Sequence, residues 1–330
     1  MNKKLNKQKL TSLFFVGHIA IDEVLKENKP HRPNEQLGGS VSYCSLSLKK
    51  YSNKVKLSII SNFNDSDSYN SILQLFNHKN VNLDGIIHSD TNNTRFILDY
   101  YNHTRKLMLK SRCPDLKFKE IPENLLNMNP DAIILVPLCN EISYEYISKM
   151  AQKFPDAYYG IDLQGFIRDI DQEGHVSLVR NKDNINTILQ IIDLLGNRLI
   201  LKGSEEEMKI FSGKQDWTEV MDYFQQFNGI FIMTLGEKGS MITKKGEKIL
   251  KIPAFKPKQV QDETGAGDVY LAIFLYEFIN SPKTWQAIKK AGYLASAAAS
   301  FEIEKKGVKG FAAKNKVLQR VNEKNYLNIY

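Results

Sequence analysis

Short apolar runs alternate with segments of helical hydrophobic spacing along most of the 330-residue chain. Each apolar run is bounded by polar or turn-forming residues, which is typical of a buried strand. The predicted strands are Leu13–Ile19, Val55–Ser61, Ala132–Pro137, Ala157–Asp162, Arg198–Lys202 and Ile230–Leu235. The predicted helices between them are Ser66–Asn77, Ser143–Lys153, Asp183–Leu195 and Trp217–Phe227. This alternation predicts an α/β fold in which helices cover both faces of a mostly parallel central sheet.

Two segments break this alternation. Thr94–Tyr101 and Arg105–Lys110 are strand-like and are joined by a short polar turn, which predicts a β-hairpin. Asp22–Leu37 is polar, contains Pro and Lys, and has no helical spacing. We predict that residues 22–40 and 93–112 form a small β-sheet lid over the carboxyl edge of the central sheet, where α/β proteins bind ligands.

The last third of the chain has a different pattern. Lys244–Ile252 predicts a hairpin partner for the strand before it. A Gly-rich turn at 265–267 precedes an apolar helix predicted over 268–279, and a second, Ala-rich helix is predicted over Pro282–Phe301. The small side chains of that second helix would allow close packing against a sheet or a flat ligand. Because the sequence contains no Pro/Gly/Ser linker and no internal repeat, we predict a single domain over residues 1–330.

Composition narrows the class of protein without choosing its function. Hydrophobic residues make up 42% of the chain and charged residues 25%, which is typical of a globular protein and excludes global disorder. The 45 Lys and Arg residues outnumber the 37 Asp and Glu residues, and the net charge of +8 permits an anionic partner. We expect no nucleic-acid partner, because the lysines are spread along the chain and are not clustered with stacking aromatic residues.

The cysteines, the histidines and the N-terminal segment indicate where the protein is located and whether it binds a metal. The three cysteines, Cys44, Cys113 and Cys139, are widely spaced, which favours a reducing compartment. The six histidines have no metal-ligand spacing, so we expect no catalytic or metal role for them. Gly17 and His18 interrupt the apolar run near the N-terminus, and no small-residue cleavage site follows it. We therefore expect a cytoplasmic protein without a membrane partner.

Residues 262–268, with the sequence Asp-Glu-Thr-Gly-Ala-Gly-Asp, are the strongest candidate for chemistry. Gly265, Ala266 and Gly267 have little or no side chain, so their N–H groups can approach an anion at the start of a helix. Asp268 in the first turn is placed to accept a proton from a hydroxyl while these groups hold a phosphoryl. On spacing alone, an ordinary helix cap explains the segment equally well.

Residues 262–268 resemble the C-terminal signature of the ribokinase (PfkB) family of carbohydrate kinases, whose usual form is DTxGAGD, with Glu263 at the second position. The resemblance implies a ribokinase-like three-layer fold and transfer of the ATP γ-phosphoryl to an alcohol. It also implies that Asp268 is the catalytic base and that 265–267 is the anion hole. The DLQGF segment at 162–166 is similar to the branch that includes archaeal-type inositol and sugar kinases.

Further family motifs align in order along most of the chain. The resemblance implies substrate-binding roles for Asp22, Gly38, Gly39, Gln164 and Asp268. It implies that Arg168 neutralises charge on the transferred group, because a guanidinium fork suits phosphate. It implies ATP-binding roles for Lys202, Ser204, Glu207, Thr234, Gly236, Gly239, Gly265 and Gly267. Taken singly, these residues are also compatible with plain turns, helix caps and solvated acids.

The implied cofactors are ATP, Mg²⁺ and K⁺. By resemblance, Glu207 would organise Mg²⁺ through water, and Asp262 would lie near a monovalent-cation site. Ser204 stands where the family has Asn, although a hydroxyl can still bond to a phosphate or to water. Because phosphoryl transfer has a loose transition state, we expect an Asp268 of ordinary pKa to suffice as the base.

The acceptor is the least determined part of this prediction. We favour a sugar or a cyclitol such as inositol, and Tyr43 disfavours ribose because ribose-type members tend to carry Asn there. The alternative within the same chemistry is a nucleoside, with Phe96, Tyr100 or Tyr43 clamping the base. A non-catalytic sugar-binding or regulatory protein on the kinase fold is the alternative of another class. If the lid exposes an apolar face, two lids would pair to form a homodimer.

Overall fold

The computed structural model describes residues 10–25, 34–64, 70–101 and 104–327. Within these ranges the strands are β1 Thr11–Val16, β2 Ala20–Leu25, β3 Asn34–Gly38, β4 Val55–Phe63, β5 Val81–His88, β6 Thr94–Tyr101, β7 Thr104–Ser111, β8 Ala132–Leu135, β9 Tyr158–Asp162, β10 Arg168–Ile170, β11 Val176–Leu178, β12 Leu199–Ser204, β13 Ile230–Thr234, β14 Ser240–Lys244 and β15 Leu250–Ile252. The α-helices are α1 Ser40–Tyr51, α2 Asn70–Gln74, α3 Glu123–Leu126, α4 Tyr144–Lys153, α5 Gln164–Ile167, α6 Lys182–Leu195, α7 Glu205–Ser212, α8 Trp217–Gln225, α9 Ala266–Ile279, α10 Trp285–Glu302 and α11 Lys314–Glu323.

The central sheet has β1 near its middle. Over the described residues its strand order is β15-β14-β13-β12-β9-β8-β1-β4-β5. The strands from β13 to β5 in this order are parallel, and β14 and β15 extend the sheet in antiparallel pairing. The α/β prediction is confirmed. Because parallel strands end at one edge of a sheet, the residues that follow β1, β8, β9, β12 and β13 lie close together.

Successive side chains of the buried strands pack into two different cores. Leu13 and Phe15 of β1 join a core with α1, α9 and α10, whereas Phe14 and Val16 join a core with α4, α6 and α8. This alternation explains why β1 is apolar at nearly every position. Helix α9 is apolar on all sides because it packs against α1, α10 and β9.

The lid is a second sheet with the strand order β3-β2-β6-β7. Strand β2 runs parallel to β6, and the other neighbouring pairs are antiparallel. The predicted small β-sheet is confirmed, with β6 and β7 forming the expected hairpin and β2 and β3 lying within 22–40 or at its start. The chain between β2 and β3 and the turn between β6 and β7 fall outside the described residues.

Two predicted boundaries in the last third were wrong. Strand β13 forms its hairpin with Ser240–Lys244, not with Lys244–Ile252, because the chain already reverses at Gly239, whose φ is 88°. Strand β15 then pairs with β14. The Ala-rich helix begins after Pro282, because the Thr284 hydroxyl caps it and accepts the Ala287 N–H at 3.3 Å.

The helix predicted over Ser66–Asn77 is shorter than expected. Its described part is α2, which ends at Gln74, and Leu75 and Phe76 already lie in a turn closed by bonds to Ile72 and Leu73. Residues 65–69, the first part of this prediction, are outside the described ranges. The other predicted elements agree with the structure to within a few residues, as expected for element ends.

The described surface offers little apolar area for association. None of the helices in the described ranges is long and apolar enough to cross a membrane. The large apolar side chains that are exposed there are Leu10, Leu75, Tyr144, Val179, Val260 and Leu327. None of them belongs to a lid strand, as far as the side chains of those strands are described. The homodimer through the lid therefore stays a prediction, which sedimentation would test.

Candidate active site

Residues 265–267, at the start of helix α9, pack so closely against their neighbours that neither Gly265 nor Gly267 has room for a side chain. We call this segment the glycine loop. Gly265 has a φ of 84°, and a Cβ there would lie 2.0 Å from the Tyr43 ring. A Cβ at Gly267 would lie 2.8 Å from the Lys202 Nζ. The glycines therefore let the N-terminal turn of α9 lie directly against Tyr43 and Lys202, which leaves its N–H groups available to an anion.

Two cavities meet at the glycine loop. The large cavity has a volume of about 380 Å³, and Ala266 and Gly267 form part of its wall. The small pocket has a volume of about 80 Å³ and is lined by Gly265 and Asp268. The two cavities therefore border the same helix start.

The large cavity has both polar and apolar walls. Thr234, Gly236 and Gly239, all predicted to bind ATP, lie in its wall, and the space around Gly236 is open. A Cβ at Gly239 would lie 2.0 Å from the Ile252 carbonyl oxygen, so this glycine is required by the turn itself. The cavity is also lined by apolar and aromatic side chains, among them Phe255, Pro257, Val260, Tyr270, Ile303 and Leu327. This mixed lining fits a flat apolar group attached to an anionic chain.

The small pocket has walls from both sheets. Asp22 comes from lid strand β2, whereas Gln164 and Arg168 follow β9 of the central sheet. Gly39 also lines the pocket, whereas Gly38 lies behind Asp22, since its Cβ would be 2.3 Å from the Asp22 carboxyl carbon. The structure thus brings the predicted substrate-binding residues into one pocket or directly behind it.

Arg168 is oriented by contacts on two sides. Its Nη1 donates to the Leu138 carbonyl oxygen at 2.9 Å, and its guanidinium carbon lies 5.8 Å from the centre of the Phe96 ring. Leu138 and Phe96 also line the small pocket. Sequence reasoning missed Ser40 and Leu138 as pocket residues, because a helix-start serine and a buried leucine have ordinary structural roles.

Asp268 lies at the floor of the small pocket in the first turn of α9. Burial and, next, the Asp162 carboxylate raise the pKa of Asp268 to about 7. Lys202, a hydrogen bond from Ser40 and the charge of Arg168 oppose this rise. The pKa is raised because two carboxylates share a poorly solvated site.

Lys202 and Asp162 form a buried ion pair beneath the glycine loop. The Lys202 Nζ lies 2.6 Å from Asp162 Oδ2, and both side chains are almost completely buried. Burial lowers the pKa of Lys202, but the charges of Asp162, Glu207 and Asp268 and the hydrogen bond to Asp162 together outweigh burial, so the pKa is raised and the ammonium stays protonated. Lys202 does not line the large cavity, and its ammonium lies behind Gly267. Sequence reasoning missed Asp162 as a site residue, although it ends a predicted strand.

Ser204 and Glu207 form a capping box at the start of α7. The Ser204 N–H donates to Glu207 Oε2 at 2.7 Å, and the Glu207 N–H donates to the Ser204 hydroxyl at 3.3 Å. Burial and the Asp162 charge raise the pKa of Glu207. Glu207, Asp162 and Asp268 together place three carboxylates around the Lys202 ammonium. This excess of negative charge fits a divalent cation at the site.

Asp262 has a neighbour that sequence reasoning missed. Asp262 accepts the N–H groups of Thr264 at 3.0 Å and of Gly307 at 3.3 Å. Glu302 is 1% exposed, and neither of its carboxylate oxygens has a hydrogen-bond partner within the described residues. Burial and then the charge of Asp262 raise the pKa of Glu302 to about 9. These orphaned oxygens beside Asp262 fit a cation. In the sequence, Glu302 is an ordinary acid at a helix end.

A buried cluster of His18, Cys139 and Glu141 has the composition of a metal site. Among the described residues, this is the group of His, Cys and acidic side chains whose potential ligand atoms lie close enough together to hold a metal ion. The His18 Nδ1 accepts the Thr94 hydroxyl at 2.9 Å, and its Nε2 lies 2.9 Å from the Pro114 carbonyl oxygen. Glu141 accepts N–H groups from its own turn and from His18. Burial raises the pKa of the Cys139 thiol. The His18 nitrogens and the Glu141 oxygens already form hydrogen bonds within the protein, so the cluster does not fit a metal ion. It holds together parts of the chain that are distant in sequence.

Known proteins resemble this chain over nearly its whole length. The model of the pfkB family carbohydrate kinases matches residues 11–314. A nucleoside kinase of Methanocaldococcus jannaschii is 24% identical over 331 residues, which cover 96% of this chain and 98% of that relative.

Solved structures share the fold. A fructokinase of Vibrio cholerae O395, solved with fructose, ADP and calcium, has a TM-score of 0.75 at 16% identity, covering 95% of this chain and 99% of that one. A pyrophosphate-dependent kinase in the ribokinase family, complexed with a pyrophosphate analogue and myo-inositol, has a TM-score of 0.69 at 19% identity, covering 93% of this chain and 99% of that one. The ribokinase-like fold is therefore confirmed. Because the family model spans most of the chain, this protein belongs to the pfkB family of carbohydrate kinases, phosphotransferases that use an alcohol group as the acceptor.

Proposed function

We propose that the protein transfers the γ-phosphoryl of ATP to a hydroxyl group of a sugar or a cyclitol such as inositol, with Asp268 as the base. One observation carries this proposal: Asp268 lines the small pocket, and Gly267, its neighbour in the chain, lines the large cavity. A phosphoryl group held by the glycine loop would therefore lie beside a carboxylate that faces the acceptor.

ATP is the donor that the large cavity favours. The N–H groups of the glycine loop suit the phosphates, and the apolar side chains of the cavity, among them Phe255 and Ile303, suit an adenine ring. Pyrophosphate would leave these apolar side chains without a ligand contact. When bound, Mg²⁺ would neutralise charge on the phosphates, with Glu207 holding it through water and Asp162 adding negative charge nearby.

The proposed reaction needs one proton acceptor and several positive groups. The acceptor oxygen attacks the γ-phosphorus in line, the bond from that phosphorus to the bridging oxygen breaks, and ADP leaves. The proton of the alcohol passes to Asp268. The N–H groups of the glycine loop, the Arg168 guanidinium and the Lys202 ammonium below Gly267 stabilise the negative charge that develops on the transferred group.

The small pocket favours a compact polyhydroxylated acceptor. Asp22 and Asp268 are carboxylates that accept hydrogen bonds from hydroxyl groups, and Arg168 donates to hydroxyl oxygens. The second candidate is a nucleoside, because the rings of Tyr43 and Phe96 also line this pocket and would stack against a base. K⁺ is proposed near Asp262 and Glu302.

A panel of alcohols tests this proposal. ADP formation is measured with Mg²⁺ and ATP against hexoses, inositols and nucleosides, and again with KCl replaced by NaCl. With pyrophosphate as a second donor, formation of the phosphorylated acceptor is measured. We expect turnover with ATP and a hexose or inositol, and less without K⁺. Faster turnover with a nucleoside would select the second candidate, and no turnover with any alcohol would refute the proposal.

A further inference from the structure

A short hairpin formed by β10 and β11 projects from the end of β9 towards the lid. Strand β10 begins at Arg168, and residues 171–175 form the turn. The Asp171 carboxylate accepts the N–H groups of Glu173 at 2.9 Å and of His175 at 2.8 Å. The turn is therefore held in one shape by its own hydrogen bonds.

The root of this hairpin is attached to the central sheet. The Arg168 side chain donates to the Leu138 carbonyl oxygen, and the Arg168 carbonyl oxygen accepts from Asn140 Nδ2 at 3.0 Å. The Asn140 N–H also donates to the Gly165 carbonyl oxygen at 3.2 Å. The root of the hairpin is thus bonded to Leu138, which follows β8 of the central sheet and also lines the small pocket.

The tip of the hairpin contacts strand β7 of the lid. The Leu109 N–H donates to the Gly174 carbonyl oxygen at 2.7 Å, and Met108 pairs with His175 in an antiparallel bridge. Below the tip, Ile170 and Val176 pack into the apolar cluster that contains Phe96 and Leu109 of the lid. The hairpin, which is attached to the central sheet, therefore contacts the lid at its outer strand β7.

The size of the small pocket depends on how closely the two sheets approach. Lid residues Asp22, Phe96 and Leu107 form one wall, and Gln164 and Asp268 belong to the opposite wall. At the separation in this structure the pocket has a volume of about 80 Å³. Any contact that fixes the separation of the sheets also limits the size of the acceptor.

We propose that the β10–β11 hairpin holds the lid at this separation through Gly174, and that Gly174 thereby restricts the acceptor to compact polyols. This inference rests on the proposed function, since it concerns which alcohol that site accepts. Gly174 lies outside the pocket and acts through the lid, so it is a positioning residue that determines specificity.

Gly174 is a position that a side chain would disrupt. Its φ is 89°, and a Cβ there would lie 2.3 Å from the Leu109 carbonyl oxygen. Gly174→Ala must therefore separate the hairpin tip from β7. Gly246→Ala is the matched control, because Gly246 has a φ of 80° and a Cβ there would have no atom within 4 Å. Both variants carry the same backbone strain, and Gly174→Ala alone adds the collision with the lid.

The test compares dissociation constants for myo-inositol and adenosine, measured by calorimetry, and kcat/KM for both as acceptors with ATP. For the wild type and Gly246→Ala we expect preference for myo-inositol. For Gly174→Ala we expect this preference to fall about 10-fold or more, the scale on which pocket fit discriminates between substrates. The KM for ATP should stay unchanged, because the large cavity does not touch the hairpin.

Amide hydrogen exchange at Leu109 tests the contact itself. We expect faster exchange of the Leu109 N–H in Gly174→Ala than in either the wild type or Gly246→Ala. An equal preference for myo-inositol in Gly174→Ala and Gly246→Ala would overturn the inference, and so would equal exchange at Leu109. Absence of turnover would refute the proposed function alone, since the dissociation constants still measure the size preference.

Discussion

At the scale of single residues, Asp268 shows how a site changes the chemistry of an ordinary carboxylate. Asp268 is partly buried at the start of α9 and lies near Asp162, and these surroundings raise its pKa to about 7. A base with a pKa near neutrality both accepts a proton in the transition state and releases it afterwards. In the proposed reaction, the buried Asp162–Lys202 pair would therefore contribute to the chemistry as well as to the core.

Asp268→Asn tests the role of this carboxylate. We expect kcat to fall by ~10²–10⁴, the usual contribution of a general base, with little change in the KM for ATP. Asp222→Asn is the control, because Asp222 is exposed on α8. A turnover of Asp268→Asn close to that of the wild type would exclude Asp268 as the base.

The pH dependence of the reaction tests the raised pKa. Protonated Asp268 cannot accept the acceptor proton, so we expect kcat/KM to rise with pH and to level off above about 7. Asp162→Asn removes a charge that raises this pKa, so its acidic limb should move to lower pH. Exposed Asp169→Asn should leave the profile unchanged. An acidic limb that stays in place in Asp162→Asn would contradict this electrostatic coupling.

At the scale of elements, the glycine loop depends on what lies behind it. A side chain at Gly265 would meet the Tyr43 ring of α1, which is itself almost completely buried. We expect Gly265→Ala to displace the start of α9 and to lower kcat at least ~10-fold, as misplaced catalytic groups commonly do.

Gly196→Ala is the control for Gly265→Ala. Gly196 has a φ of 50°, lies at the end of α6, and has no atom within 4 Å of the position of a Cβ. Both substitutions should lower the melting temperature through backbone strain, and only Gly265→Ala should impair turnover. Equal activity of the two variants would show that the loop tolerates displacement.

The elements were predictable from the sequence where hydrophobic spacing determines them. The buried strands and most of the helices follow from that spacing, and the glycine loop follows from its motif. The Asp162–Lys202 pair and Glu302 could not be predicted, because their roles arise when distant strands and helix ends meet. The hairpin after Arg168 was missed because its strands have three residues each, too few to show a period.

At the scale of the whole molecule, His18 joins parts that are far apart in the sequence. Its ring contacts Thr94 at the start of lid strand β6 and Pro114 beyond the end of β7, while its own backbone follows β1. Burial lowers the pKa of His18, although the Glu141 charge opposes this. The neutral ring is therefore part of the connection between the two sheets.

Because His18 is buried and its pKa is lowered, we expect the folded protein to lose stability in acid. Below a pH of about 6.5 the unfolded chain binds a proton at His18 and the folded protein does not, so the free energy of unfolding should fall as the pH decreases. The slope is at most about 1.4 kcal/mol per pH unit for one group. Chemical denaturation of His18→Gln should show a weaker dependence between pH 7 and 5.5, whereas exposed His78→Gln should match the wild type. Equal slopes for all three proteins would contradict the prediction.

The shared border of the small pocket and the large cavity has a consequence for inhibition. Because a single helix start, 265–268, borders both spaces, the proposed ATP and acceptor would meet at one backbone turn. A compound that tethers adenosine to a polyol through an oligophosphate chain crossing that turn would occupy both sites at once. Such a compound gains the effective concentration of a linked pair, and it should bind far more tightly than either half.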